Sequence, residues 1–161
     1  MIPTPIYSDG YVYATAGYGA GCKLIKLGEP DPEVVYENEI IENHHGGVIL
    51  VDGCVYGYSD KGGWTCQDFK TGEVIWQSKE LGKGSIAYAD GMFYCLEEKD
   101  GAVALIEASK EGWKEHGRFE IDPKTKIRSD RGGIWTHPVI VNGRLFLRDQ
   151  DIFSCHDVKA K

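Results

Sequence analysis

Three of the five histidines, His44, His45 and His137, stand in glycine-rich stretches. These are Asn43-His44-His45-Gly46-Gly47 and Arg131-Gly132-Gly133-Ile134-Trp135-Thr136-His137-Pro138. Neutral imidazole suits zinc, copper, iron or nickel. Beside a carboxylate it can also take up and release a proton near neutral pH. The trio therefore reads in three ways: as metal ligands, as acid–base groups partnered by Asp60 or Glu97, or as hydrogen bonders between loops and to water. Neighbouring side chains diverge on an extended backbone, so at most one of His44 and His45 easily joins His137. Lys83 and Arg148 could hold an anion such as a carboxylate, or could be spent on ion pairs, Arg148 with Asp149. Trp64 and Trp135 could stack on a flat ring or pack in the core. Tyr58, in the run Tyr58-Ser59-Asp60-Lys61-Gly62-Gly63-Trp64, and Arg131, at the start of the second histidine stretch, complete the candidate ligand-binding set.

The segments that must bring these side chains together repeat along the chain. Pro5-Ile6-Tyr7-Ser8-Asp9-Gly10-Tyr11-Val12-Tyr13 is echoed by Ile49-Leu50-Val51-Asp52-Gly53-Cys54-Val55-Tyr56. Two more copies are Ile86-Ala87-Tyr88-Ala89-Asp90-Gly91-Met92-Phe93-Tyr94 and Pro138-Val139-Ile140-Val141-Asn142-Gly143-Arg144-Leu145-Phe146. Each is an apolar run, an Asp-Gly or Asn-Gly pair, and a β-rich run. That pair supplies the two positive φ angles of a type I′ hairpin turn. The anchoring glycines, 10, 53, 91 and 143, are about forty residues apart, a spacing typical of four-stranded propeller blades.

The second unit divides most clearly, into strand A near Gly47–Val51, B at Cys54–Ser59, C near Trp64–Phe69 and D near Glu73–Gln77. In strand D, Val74 and Trp76 are expected on one face and Ile75 on the other. The best helical stretch, Glu107–His116, is interrupted by Gly112 and falls where the repeat needs a turn.

Unit two also contains Cys66-Gln67-Asp68-Phe69-Lys70-Thr71-Gly72-Glu73-Val74-Ile75-Trp76. This resembles the A-x-D-x-x-T-G-x-x-x-W repeat of the PQQ-like (quinoprotein-type) β-propeller family. In such a turn Asp68 accepts backbone N–H groups, Gly72 takes a positive φ, and Trp76 reaches between blades. Cys155-His156-Asp157-Val158-Lys159-Ala160-Lys161 aligns with the start of the motif and stops before strand D.

The expected fold is therefore all-β: a β-propeller of four-stranded antiparallel blades, about four in this chain, the last lacking its outer strand. The blades are placed near residues 4–42, 43–82, 83–131 and 132–161 of one propeller domain. The resemblance implies rings of seven or eight blades, so two copies closing an eight-bladed ring, or half of a longer propeller, are the expected assemblies. A closed four-bladed ring is the alternative. It also implies a ligand face made by the D-to-A and B-to-C loops, where the candidate residues fall.

The resemblance opens two functions. One is a non-catalytic ligand- or protein-binding module, similar to the outer-membrane assembly lipoproteins. The other is a quinoprotein-type oxidoreductase resembling alcohol dehydrogenases. PQQ with calcium enters by resemblance only, and no cofactor is expected from the residues themselves, which show no Cys-Cys pair. Export or a periplasmic location is likewise implied by the resemblance alone. Met1-Ile2-Pro3-Thr4-Pro5 shows no basic start or apolar run of a signal peptide.

Composition narrows the partners. The chain of 161 residues carries 18 basic and 25 acidic residues, a net charge of −7, which disfavours nucleic acid. Apolar runs are short, so no membrane insertion is expected. Five cysteines without a C-x-x-C pair read as free thiols. Between Lys26 and Lys61 stand eight acids and no Lys or Arg, a solvated edge.

Overall fold

The computed structural model describes residues 3–159. Among them the regular structure is all strand, in four antiparallel sheets joined in sequence order. The first sheet holds β1 (Ile6–Ser8), β2 (Tyr11–Ala16), β3 (Gly21–Lys26) and β4 (Glu33–Asn38). The second holds β5 (Val48–Val51), β6 (Cys54–Ser59), β7 (Gly63–Asp68) and β8 (Val74–Ser78). The third holds β9 (Gly84–Ala89), β10 (Met92–Glu97), β11 (Ala102–Glu107) and β12 (Glu115–Glu120). The fourth has three strands, β13 (Val139–Val141), β14 (Arg144–Asp149) and β15 (Ile152–Asp157). Each sheet is a meander, the architecture of a propeller blade. The helical alternative at Glu107–His116 does not form: Glu107 ends one strand and Glu115 begins the next.

The hairpins turn where the repeat places them. Asp9, Asp52, Asp90 and Asn142 have φ between 48° and 52°, each followed by a glycine at positive φ. The motif turn also forms as its chemistry demands. Asp68 Oδ1 accepts the amides of Lys70 (2.9 Å) and Thr71 (2.8 Å), and Gly72 sits at φ 75°.

One local expectation fails. Val74 and Trp76 do not share a face: Val74 is exposed, whereas Ile75 and Trp76 both pack on the core between the second and third sheets. The cause is a bulge. Gln67 pairs with Val74 and Cys66 with Trp76, which leaves Ile75 as the extra residue and breaks the alternation.

Three apolar cores lie between successive sheets. Tyr13, Leu24, Val55 and Phe69 fill the first, Tyr56, Trp64, Phe93 and Ile106 the second, and Leu96, Val103, Leu145 and Leu147 the third. Among the described residues no such core joins the fourth sheet to the first, so the four blades form an open arc rather than a closed ring. The outer strands of the first two blades each stitch to the next blade: Tyr36 Oη donates to the Phe69 carbonyl (3.0 Å) and Trp76 Nε1 to the Ser109 carbonyl (2.9 Å). All five cysteines are free thiols, four buried and Cys155 exposed.

Candidate functional site

The loops at one end of the blades converge near the propeller axis. The connection entering the second blade carries His44 and His45, and its shape is fixed by Asn43. That buried side chain donates to the carbonyls of Gly47 and Tyr58 (3.0 Å each) and accepts the Gly47 amide (3.0 Å). The two glycines that follow are a requirement of close approach. A Cβ on Gly46 would stand 1.9 Å from the Gly84 carbonyl oxygen, and one on Gly47 would stand 2.9 Å from the His137 ring. These contacts let the loops of three blades meet.

The result is a cleft of about 670 Å³, lined by Tyr18, His44, His45, Lys83, Glu98, Trp135 and His137. That volume is in the range of small-molecule sites. Its wall is a chain of edge-to-face rings. Tyr18 meets His44 at 4.3 Å between centroids, His44 meets His45 at 5.4 Å, and His45 meets Trp135 at 5.9 Å. Lys83 Nζ reaches His44 Nδ1 (3.2 Å) and pairs with Asp60 (2.6 Å), so the cation is neutralised beside the cleft. His137 Nε2 donates to the His45 carbonyl (2.7 Å), which fixes its tautomer.

His45 and Glu98 form the most unusual contact. His45 Nε2 lies 2.7 Å from Glu98 Oε2, yet neither His45 Nδ1 nor Glu98 Oε2 has an aligned hydrogen-bond partner. As an ion pair the two would raise and lower each other's pKa in the usual way. Burial works in the opposite sense on both. It pushes His45 down to about 4, helped by the nearby Lys83, His44 and His137, and it pushes Glu98 up. Burial thus disfavours the charged form of each group.

The remaining candidates lie around this cleft rather than in it. Trp64 is buried between blades and donates to the Gly82 carbonyl (3.1 Å). Tyr58 packs edge-on against it. Glu97 does not line the cleft; its carboxylate accepts the amides of Lys99 and Asp100. Asp149 is buried, but its ion-pair partner is Arg128, not Arg148. Arg148 instead donates to the Gln150 carbonyl (2.9 Å) and, with Trp135, lines a smaller neighbouring pocket of about 260 Å³. Arg131 is exposed.

Two lining residues escape sequence reasoning. Tyr18 sits in the run Gly17-Tyr18-Gly19-Ala20-Gly21, in the B-to-C turn of the first blade, as Asp60 sits in that of the second. Glu98 follows Glu97 in a run of charges, and the end of β10 decides which of the two faces the axis.

The donor set does not suit a quinone-bound calcium site. Calcium takes six to eight oxygen ligands, whereas the cleft offers imidazoles, an ammonium group and one carboxyl group that burial keeps toward its neutral form. Among the described residues no three His, Cys, Asp or Glu side chains converge as a metal set. The lining contains no serine, threonine or cysteine that could act as a nucleophile. The cleft presents aromatic edges that suit a flat ligand, with polar atoms at its rim.

Residues 2–78 match the family model described as outer membrane protein assembly factor BamB. No curated protein matches the chain in sequence. Among solved structures, BamB from Moraxella catarrhalis is 18% identical with a TM-score of 0.67, the match covering 95% of this chain and 42% of that one. The computationally designed Ika4 protein is 12% identical with a TM-score of 0.66, covering 99% of this chain and 92% of that one. The designed Ika8 protein is 12% identical with a TM-score of 0.63, covering 96% and 45% respectively. The chain thus spans about two fifths of the BamB structure that it matches.

Proposed function

From a chain built of PQQ-like β-propeller repeats, we propose a binding module that closes a ring with a second copy of itself and takes its ligand in the axial cleft. The carrying observation is that the two outermost blade faces are halves of the interface already used inside the chain. On the fourth blade, Val139, Val141, Phe146, Phe153 and Cys155 occupy the positions of Ile49, Val51, Tyr56, Trp64 and Cys66, by alignment on the anchoring glycines and strand pairings. In the second blade these side chains pack against the third. In the fourth, Phe153, Val139 and Val141 are exposed.

The first blade is the converse. Tyr7 and Leu27 occupy the positions of Leu50 and Phe69, which meet the preceding blade, and both are exposed. Apolar faces of this kind are normally covered. A four-blade arc is half of an eight-bladed ring, so two copies related by a twofold axis cover both faces at once.

Within that ring the aromatic cleft would face a second cleft across the axis. The family description concerns an outer-membrane assembly factor, so by likeness the ligand is a protein segment or small molecule of the cell envelope. The aromatic walls favour binding of a flat ligand.

Substitution at each face tests the assembly. Phe153→Arg and Tyr7→Arg should each give folded monomers in sedimentation, while Trp135→Ala, in the cleft, should leave the mass unchanged. Parent-like mass for both arginine variants would contradict the proposal.

A further inference from the structure

A second groove, of about 370 Å³, lies between the third and fourth blades, far along the outer strand from the axial cleft. Its origin is a missing side chain. In β4, Tyr36 pairs with Leu24 just before a bulge, and its ring crosses to the next blade. In β8, Trp76 holds the same position against Cys66 and makes the same crossing. In β12 the residue at this register, opposite Leu105 and again beside the bulge, is Gly117. A Cβ there would meet nothing within 4 Å. The groove has apolar walls from Tyr94, Val103, Leu105, Phe119 and Val158.

The rim carries Arg118, Asp157 and Lys159. Arg118 is held bidentately by Glu115 (2.9 and 2.7 Å), and Asp157 accepts the Lys159 amide (3.1 Å). Phe119 and His156 face each other at 4.8 Å between centroids and form one aromatic side. The apolar walls therefore suit an uncharged ring. Both occupied counterparts hold an aromatic ring with one hydrogen-bond donor, used on a backbone carbonyl of the following C-to-D turn. We propose that the Gly117 groove is a binding site for a neutral aromatic ring bearing one such donor, of the indole class. Apolar cavities left by a missing side chain take up matching rings in this way.

The test is titration with indole, followed by isothermal calorimetry and by the unfolding temperature. The parent should bind indole saturably at one site in this groove and become more heat-stable with it. Gly117→Trp should lose that binding and, without ligand, unfold at a higher temperature than the parent, since its own ring fills the space. Gly117→Tyr serves the same purpose should the tryptophan variant fail to fold. A parallel titration with N-acetyltryptophanamide separates the sources: preference for it marks a peptide side chain, preference for indole a free small molecule. No saturable binding of either probe by the parent would overturn the proposal, as would binding that persists unchanged in the folded Gly117 variants. Persistent binding of that kind would place the ring in the axial cleft instead.

Discussion

Phe153 occupies in the fourth blade the register position that Trp64 occupies in the second, each paired across the B-to-C hairpin, with Arg148 and Tyr58 respectively. Trp64 is 1% exposed beneath the third blade, and Phe153 is 67% exposed with no blade over it. The same position is thus core in one blade and surface in the other.

That contrast predicts unequal costs. Trp64→Ala removes a buried ring and its bond to the Gly82 carbonyl, and should lower stability by about 3–5 kcal/mol. Phe153→Ala, measured at a dilution where chains are separate, should change stability by less than about 0.5 kcal/mol. Urea unfolding of both variants checks the pair. Equal losses at that dilution would mean that Phe153 is covered within one chain.

The polar knot between the first two blades gives a coupling prediction. Gln67 is fully buried; its Nε2 donates to Asn38 Oδ1 (3.2 Å) and the Gly72 carbonyl (2.9 Å), and its Oε1 accepts Tyr13 Oη (2.8 Å). Gln67→Leu should cost about 1–3 kcal/mol, mainly by stranding the Tyr13 hydroxyl. Adding Tyr13→Phe should recover part of that loss. A double-mutant cycle with no coupling would show that the hydroxyl finds another partner.

The His45–Glu98 contact predicts opposing pH dependences. His45 titrates near 4 when folded and near 6.5 when unfolded, so the unfolded chain binds more protons between these values. Its contribution to stability is full above about 6.5 and is lost on acidification toward 4. Burial raises Glu98, so its contribution is full below about 4.5 and is lost as the pH climbs through its folded value. Above pH 4.5 the Glu98 slope therefore opposes the His45 slope in the parent. Glu98→Gln should leave the His45 slope alone, and its urea midpoint should fall more steeply than the parent's between pH 6.5 and 4.5. A variant whose profile matches the parent's would contradict opposing contributions from His45 and Glu98.

The donors of the cleft predict indifference to the quinoprotein cofactor. Saturating PQQ and calcium together should produce no new absorbance band and no rise in unfolding temperature. A rise abolished by Glu98→Gln would bring the oxidoreductase reading forward.

Much of the architecture is written locally and is therefore legible. Type I′ turns need two positive φ angles, and four Asp-Gly or Asn-Gly pairs announce four hairpins. Asp68 and Gly72 mark the C-to-D turn for the same reason. The bulge in β8 is not written this way, because the doubled residue Ile75 looks like any other strand residue until Trp76 is seen crossing to Ser109.

The site was partly legible because glycines and histidines cluster in the loops entering the second and fourth blades. The choice between Glu97 and Glu98 was not, since it depends on which residue ends β10. Nor was the pairing of Asp149 with Arg128, which comes from the long connection between the third and fourth blades and belongs to no repeat. Gly117 shows the limit most clearly: only register against Tyr36 and Trp76 reveals that an aromatic ring is missing there.

The most direct measurement of the central claim is absolute mass by light scattering behind a sizing column, over a dilution series. The free faces of the first and fourth blades predict a stable mass near twice 17.9 kDa. A clean monomer at every concentration would contradict the closed ring.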